Sequence, residues 1–79
     1  MTMEYMSKLK IVVEKHADCY VAFPLGVDGA VVGEGETFDE ALDDVRSAIH
    51  EYVEEFGVQR LNLESPVLEA KVVEAAVSL

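Results

Sequence analysis

The chain has one cysteine, Cys19, and no tryptophan. A single cysteine excludes an intrachain disulfide, and a thiolate zinc site would need its other ligands from other residue types. Cys19 reads as a half-buried strand residue, because a redox or nucleophilic role needs a neighbouring base that the sequence does not place. Basic residues are scarce. Six Lys and Arg stand against sixteen Asp and Glu, for a formal net charge of −10. Binding nucleic acid directly requires cations that displace counterions from phosphates, so this balance argues against it. The same balance argues against an anionic membrane surface. No apolar run approaches the roughly 20 residues that cross a bilayer. Met1 to Lys8 also lacks the apolar centre of a signal peptide, which makes the cytoplasm the expected compartment.

What is present is enough for one small domain. The 79 residues are 51% hydrophobic, too apolar for a disordered tail and too few for two cores. Met1 to Ser7 has no period and reads as a frayed lead-in. Leu9 to Lys15 is β-branched and alternates, with Leu9, Ile11 and Val13 on one face and Lys10, Val12 and Glu14 on the other. His16-Ala17-Asp18 reads as a turn into a second strand, Tyr20 to Phe23, that Pro24 ends; the short link predicts an antiparallel hairpin. Leu25 to Gly29 is a loop with an Asp28-Gly29 turn signal. Ala30-Val31-Val32 is the expected third strand, and Gly33-Glu34-Gly35-Glu36 breaks its period.

The clearest segment follows. Thr37-Phe38-Asp39-Glu40 has the spacing of a capping box, with Thr37 as N-cap and Glu40 reaching back. Asp39 and Glu40 also suit the positive end of a helix dipole. Phe38, Ala41, Leu42, Val45, Ala48, Ile49, Tyr52, Val53 and Phe56 step by threes and fours, an apolar stripe that predicts an amphipathic helix stopped by Gly57. The tail is ambiguous: Val67 to Val77 reads as a strand with Leu68, Ala70 and Val72 on one face, while Ser65-Pro66 could instead open a helix. The strand is favoured, because a fourth strand would cover an edge of the sheet. The expected fold class is α+β, a small antiparallel sheet on one helix in the order β-β-β-α-β.

Few residues suggest chemistry. The helix carboxylates lie on the predicted wet face, whereas general acid–base work needs burial or a cleft. Asp39 and Asp43 at i, i+4 lack the loop oxygens of a calcium site. His16 and His50 are far apart, and His50 is expected to be partly buried beside the stripe. Gly33-Glu34-Gly35 has no lysine, and its flanking glutamates would repel a phosphate. No serine has a nucleophile elbow. No catalytic residue, cofactor or metal is expected. From Glu34 to Glu55 nine acidic residues accompany one arginine, which concentrates −8 of the charge there. Glu36, Asp39, Asp43, Asp44 and Glu51 are therefore the candidate face for a basic protein partner.

The order of motifs is distinctive: Asp18-x-Tyr20-x-Ala22-x-Pro24, a glycine loop, Gly35-Glu36-Thr37-x-x-Glu40-Ala41-Leu42, then a helix through Ala48-Ile49. From Leu9 to Phe56 this resembles the HicB family, the antitoxin half of HicA–HicB toxin–antitoxin pairs, which also includes solitary HicB-like domains. The resemblance implies a trimmed RNase H-like β-β-β-α-β fold without working nuclease residues. It implies as partner a small basic HicA-like toxin that cleaves RNA. Tyr20, Pro24, Gly35, Glu36, Thr37, Glu40 and Ala41 are the family-motif positions, and the resemblance gives them architectural roles.

The chain departs from the family pattern in two places. The usual Pro-Asp-Leu-Pro-Gly-Cys loop is replaced by Pro24-Leu25-Gly26-Val27-Asp28-Gly29-Ala30. The 22 residues after Gly57 read as a closing strand rather than a DNA-binding unit, so the reading is a solitary HicB-like domain. Two alternatives accompany it. One is a self-associating domain, a homodimer or larger, that covers a sheet face bearing Val12, Tyr20 or Val21, and Val73. The other is a remnant RNase H-type nuclease using Glu14, Asp18 or Glu69 to hold Mg²⁺.

Overall fold

The computed structural model of the chain describes residues 8–27, 31–61 and 67–79. The Met1 to Ser7 lead-in, the Asp28-Gly29 turn signal with Ala30, and the Ser65-Pro66 helix-start signal lie outside the described residues.

Strand β1 (Ile11–Lys15) and strand β2 (Tyr20–Pro24) form the antiparallel hairpin that their alternation implies. Ile11 lies opposite Pro24, Val13 opposite Ala22 and Lys15 opposite Tyr20. The His16 N–H donates to the Cys19 carbonyl at 2.8 Å and closes the turn. Strand β3 (Gly33–Gly35) runs antiparallel to β2, with Ala22 opposite Gly33 and Tyr20 opposite Gly35. The sheet order is β1-β2-β3.

The third strand therefore starts three residues later than Ala30-Val31-Val32 suggested. Val31 is buried and Val32 is half exposed, but the ladder is made by Gly33-Glu34-Gly35. The reason lies in the layer above. Helix α1 (Phe38–Phe56) crosses β3 so closely that a Cβ on Gly33 would lie 2.6 Å from the Val45 Cα. A Cβ on Gly35 would lie 2.5 Å from the Glu40 Cβ and 2.7 Å from the Ala41 N. Only a strand without side chains on its helix-facing positions fits there. Tertiary packing overrides the preference of β-branched residues for strands.

The core follows from that approach. Ala22, Ala41 and Val45 are fully buried at its centre, and Ile11, Val13, Tyr20, Leu42 and Ile49 pack around them. Small side chains meet glycine backbone, so the layers sit close. Helix α1 starts at Thr37, whose hydroxyl accepts from the Glu40 N–H at 3.1 Å. It stops at Gly57, which has φ 88° and donates its N–H to the Val53 carbonyl at 2.8 Å.

The helix is longer than the sheet beneath it. Nineteen residues rise about 28 Å, whereas a five-residue strand spans about 17 Å. Its apolar stripe therefore overhangs: Phe38 and Phe56, both assigned to the stripe, are 51% and 44% exposed. A 3₁₀ turn at Val58–Leu61 folds back under the last turns and buries Leu61. Tyr52 and Phe56 meet with ring centroids 4.9 Å apart, and the Arg60 guanidinium lies 5.8 Å from the Phe56 ring centroid. This turn was not anticipated, although Val58 and Leu61 have its three-residue period.

The closing strand is not part of the sheet. Residues 67–79 form neither strand nor helix, and every residue from Leu68 onward is exposed. Strand-type side chains alone do not make a strand: its stability comes from cross-strand pairs and a face to bury, and this segment has neither. The α+β class with three antiparallel strands on one helix stands; the fourth strand does not. No helix among the described residues is long and apolar enough to cross a membrane.

The glycine seam yields a direct test. Gly33→Ala places a methyl group against helix backbone, which cannot swing aside. We expect a loss of about 3 kcal/mol in urea denaturation, at the upper end of overpacking costs. Gly26→Ala, strained by its φ of 78° but with its Cβ at an ordinary contact distance of 3.9 Å from the Val67 Cγ2, should cost about 1 kcal/mol. Equal costs at the two sites would contradict the close-approach account.

Candidate functional site

Helix α1 carries its acidic residues on two adjoining stripes. Asp39, Asp43, His50 and Glu54 lie on the side facing away from the sheet, together with Arg46. Glu40, Asp44, Glu51 and Glu55 follow one another along the flank nearest β3. All of these residues are exposed, and the described residues contain no buried polar or charged side chain. The five candidates Glu36, Asp39, Asp43, Asp44 and Glu51 therefore share one helix and its entry, but they are not equivalent.

Two of them take part in the frame, Asp44 through its side chain and Glu36 only through its backbone. Asp44 reaches down to the sheet edge, where its Oδ2 accepts from the Glu34 N–H at 2.9 Å. The Glu36 N–H donates to Glu40 Oε2, also at 2.9 Å. The capping box is thus reciprocal, but Glu40 reaches one residue further back than the N-cap itself. Asp43 makes an i, i+3 ion pair with Arg46 at 3.6 Å, open to water. Asp39 and Glu51 are exposed, and neither makes an ion pair or side-chain hydrogen bond within the described residues.

Of the residues that carry the HicB resemblance, Tyr20, Gly35, Glu36, Thr37, Glu40 and Ala41 lie where the sheet meets the start of the helix, and Pro24 lies at the other end of β2. Tyr20 begins β2 opposite Gly35 and packs on the core, and Pro24 is buried at the end of β2. Gly35 admits the helix, Thr37 and Glu40 cap it, and Ala41 is fully buried against the sheet.

Beside that junction, Cys19, Glu34, Gly35, Glu36 and Glu40 line a broad, open recess of about 560 Å³. Glu34 was not among the candidates, though its alternation with Glu36 between two glycines signals carboxylates on an exposed edge. His50 is exposed rather than partly buried, and its Nε2 lies 3.1 Å from Glu54 Oε1 at i, i+4. His16 Nε2 lies 3.0 Å from Glu14 Oε1 at the hairpin turn.

Glu14, Asp18 and Glu69, the carboxylates a remnant nuclease would use, do not assemble a site. Among the described residues no three His, Cys, Asp or Glu side chains come together in a metal-holding group. Glu69 lies in the exposed tail, 3.6 Å from the Lys71 ammonium. Against known proteins, no family model, no curated protein and no solved structure matches the chain.

The division of the acidic residues is testable by stability alone. Thr37→Ala should cost about 1 kcal/mol through the lost cap, and Asp44→Ala about the same through the orphaned Glu34 N–H. Asp43→Ala should stay within about 0.5 kcal/mol, as expected of a solvated pair. A larger loss at Asp43 than at Asp44 would reverse the assignment of frame and free face.

Proposed function

We propose that this chain is a non-enzymatic protein-binding module, a HicB-like antitoxin or a solitary relative of one, that engages a small basic RNA-cleaving protein of the HicA kind. The observation that supports this reading most is the outer face of α1. It sets Asp39, Asp43 and Glu54, with Glu51 on the adjoining stripe, on a rigid, well-capped helix, exposed to water, with Arg46 as the one Lys or Arg among them. Carboxylates fixed on a rigid element attract a cationic partner at distance and orient it on arrival, and they accelerate association more than they tighten it. The HicB-like motif residues Gly35, Thr37, Glu40 and Ala41 support this reading in that they admit, cap and seat that helix.

A second reading, self-association, has an observation of its own. The sheet face turned away from α1 carries Val12, Val21, Phe23 and Val32, and no described strand or helix packs on it. Tyr20 turns to the helix side and Val73 lies in the exposed tail, so neither belongs to this face. Four apolar side chains on an open sheet favour a homo-oligomer that covers them.

The toxin reading is tested with the product of a small basic reading frame beside the gene. Calorimetry at low salt should show binding, and the association rate should fall steeply as salt rises. The paired substitution Asp43→Asn and Glu51→Lys should slow association by roughly tenfold while leaving the thermal midpoint nearly unchanged. No heat at low salt, or binding indifferent to both salt and the paired variant, would end the acidic-face reading.

A further inference from the structure

We infer that residues 67–79 of one copy add as a strand to the outer edge of β1 in a second copy. The inference rests on the self-association reading and places the contact at an edge of the sheet rather than on its open face. It starts from unpaired backbone. The Leu25 N–H donates to the Lys10 carbonyl and the His16 N–H to the Cys19 carbonyl. In this register the even-numbered residues of β1 bond towards β2. Ile11, Val13 and Lys15 therefore turn their N–H and C=O groups outward, and no described residue pairs with them. An edge of this kind, five residues long and free of proline, is a template for another strand. The opposite edge of the sheet is less receptive: β3 has three residues, and Asp44 already holds the outward Glu34 N–H.

The same side of the molecule has an apolar cleft beside that edge. Leu9, just before β1, and Ile49, Val53, Val58 and Leu61 line a space of about 200 Å³, with Arg46 and His50 at its rim. A strand laid along β1 would pass this cleft and point every second side chain towards it. The chain contains a segment suited to both. Residues 67–79 contain no glycine or proline and four valines, with Leu68, Ala70 and Val72 on one face and Val73, Ala75 and Val77 on the other. These residues do not lie on their own sheet. Leu68 is 82% exposed, Val72 97% and Val73 76%. An apolar segment held away from one body, and an unpaired edge with an apolar cleft on that body, complement each other between two copies. Reciprocal exchange would satisfy both edges and close the assembly with two-fold symmetry.

The test uses the full chain. Light scattering at about 100 μM should give a dimer. Amide exchange by NMR should show Ile11, Val13 and Lys15 protected at that concentration and losing protection on dilution. Val72→Pro and Val73→Pro are made separately, since one of them removes an inter-strand donor whichever edge of the tail faces β1. Neither touches the folded body, so its stability should be unchanged. At least one should raise the dimer dissociation constant by about tenfold or more. A dimer with exchanging β1 amides, or one indifferent to both prolines, would overturn the strand addition and leave self-association standing. A monomer with protected β1 amides would show the tail docking on its own sheet and overturn both. A monomer with exchanging amides would do the same.

Discussion

Val45 and Ala41 come down onto the backbone of Gly33 and Gly35 with no room for a side chain between them. That approach decides where the third strand forms, how thick the core is and which way the helix lies across the sheet. A helix normally rests on the side chains of a sheet at about 10 Å; here it rests partly on main chain. The core can therefore be built from alanine and valine, and a domain with few large buried side chains still closes. The contact is also unforgiving, because backbone on both sides leaves nothing flexible to yield.

The acidic residues acquire their roles from this geometry. Near the helix start, the flank of α1 nearest β3 uses two carboxylates internally: Asp44 satisfies a strand N–H and Glu40 completes the cap. The face turned away from the sheet has no such obligation, and its charge is free to act on whatever approaches. Net charge by itself would not separate the two groups. Their separation follows from a rotation of about 100° per residue around a helix whose buried side is pinned by glycine.

The far end of the molecule shows the opposite condition. The helix outruns its sheet, the 3₁₀ turn at Val58–Leu61 shelters the overhang, and the residues from Leu68 onward are exposed and pair with no described strand. Apolar surface is thus covered on the helix side of β2 and β3 and left open along the outer edge of β1 and on the face turned away from the helix. Both the capped acidic helix and the open edge are surfaces for association, and they lie on different sides of the same frame.

Much of this architecture is legible in the residues. The hairpin from Leu9 to Pro24, the capping box at Thr37, the long apolar stripe and the Gly57 stop are local patterns, and each is stabilised mainly by neighbours within a few positions. The sequence alone determined the α+β class, the helix and its ends, and the concentration of negative charge between Glu34 and Glu55. Tertiary structure decided what depended on distant partners. It moved the third strand from the valines to the glycines, because the helix demanded space there. It exposed Phe38 and Phe56, because the sheet was shorter than the stripe, and His50, because that residue lies on the side of the helix facing away from the sheet. It kept residues 67–79 out of the sheet, because a strand exists only where another strand and a buried face receive it.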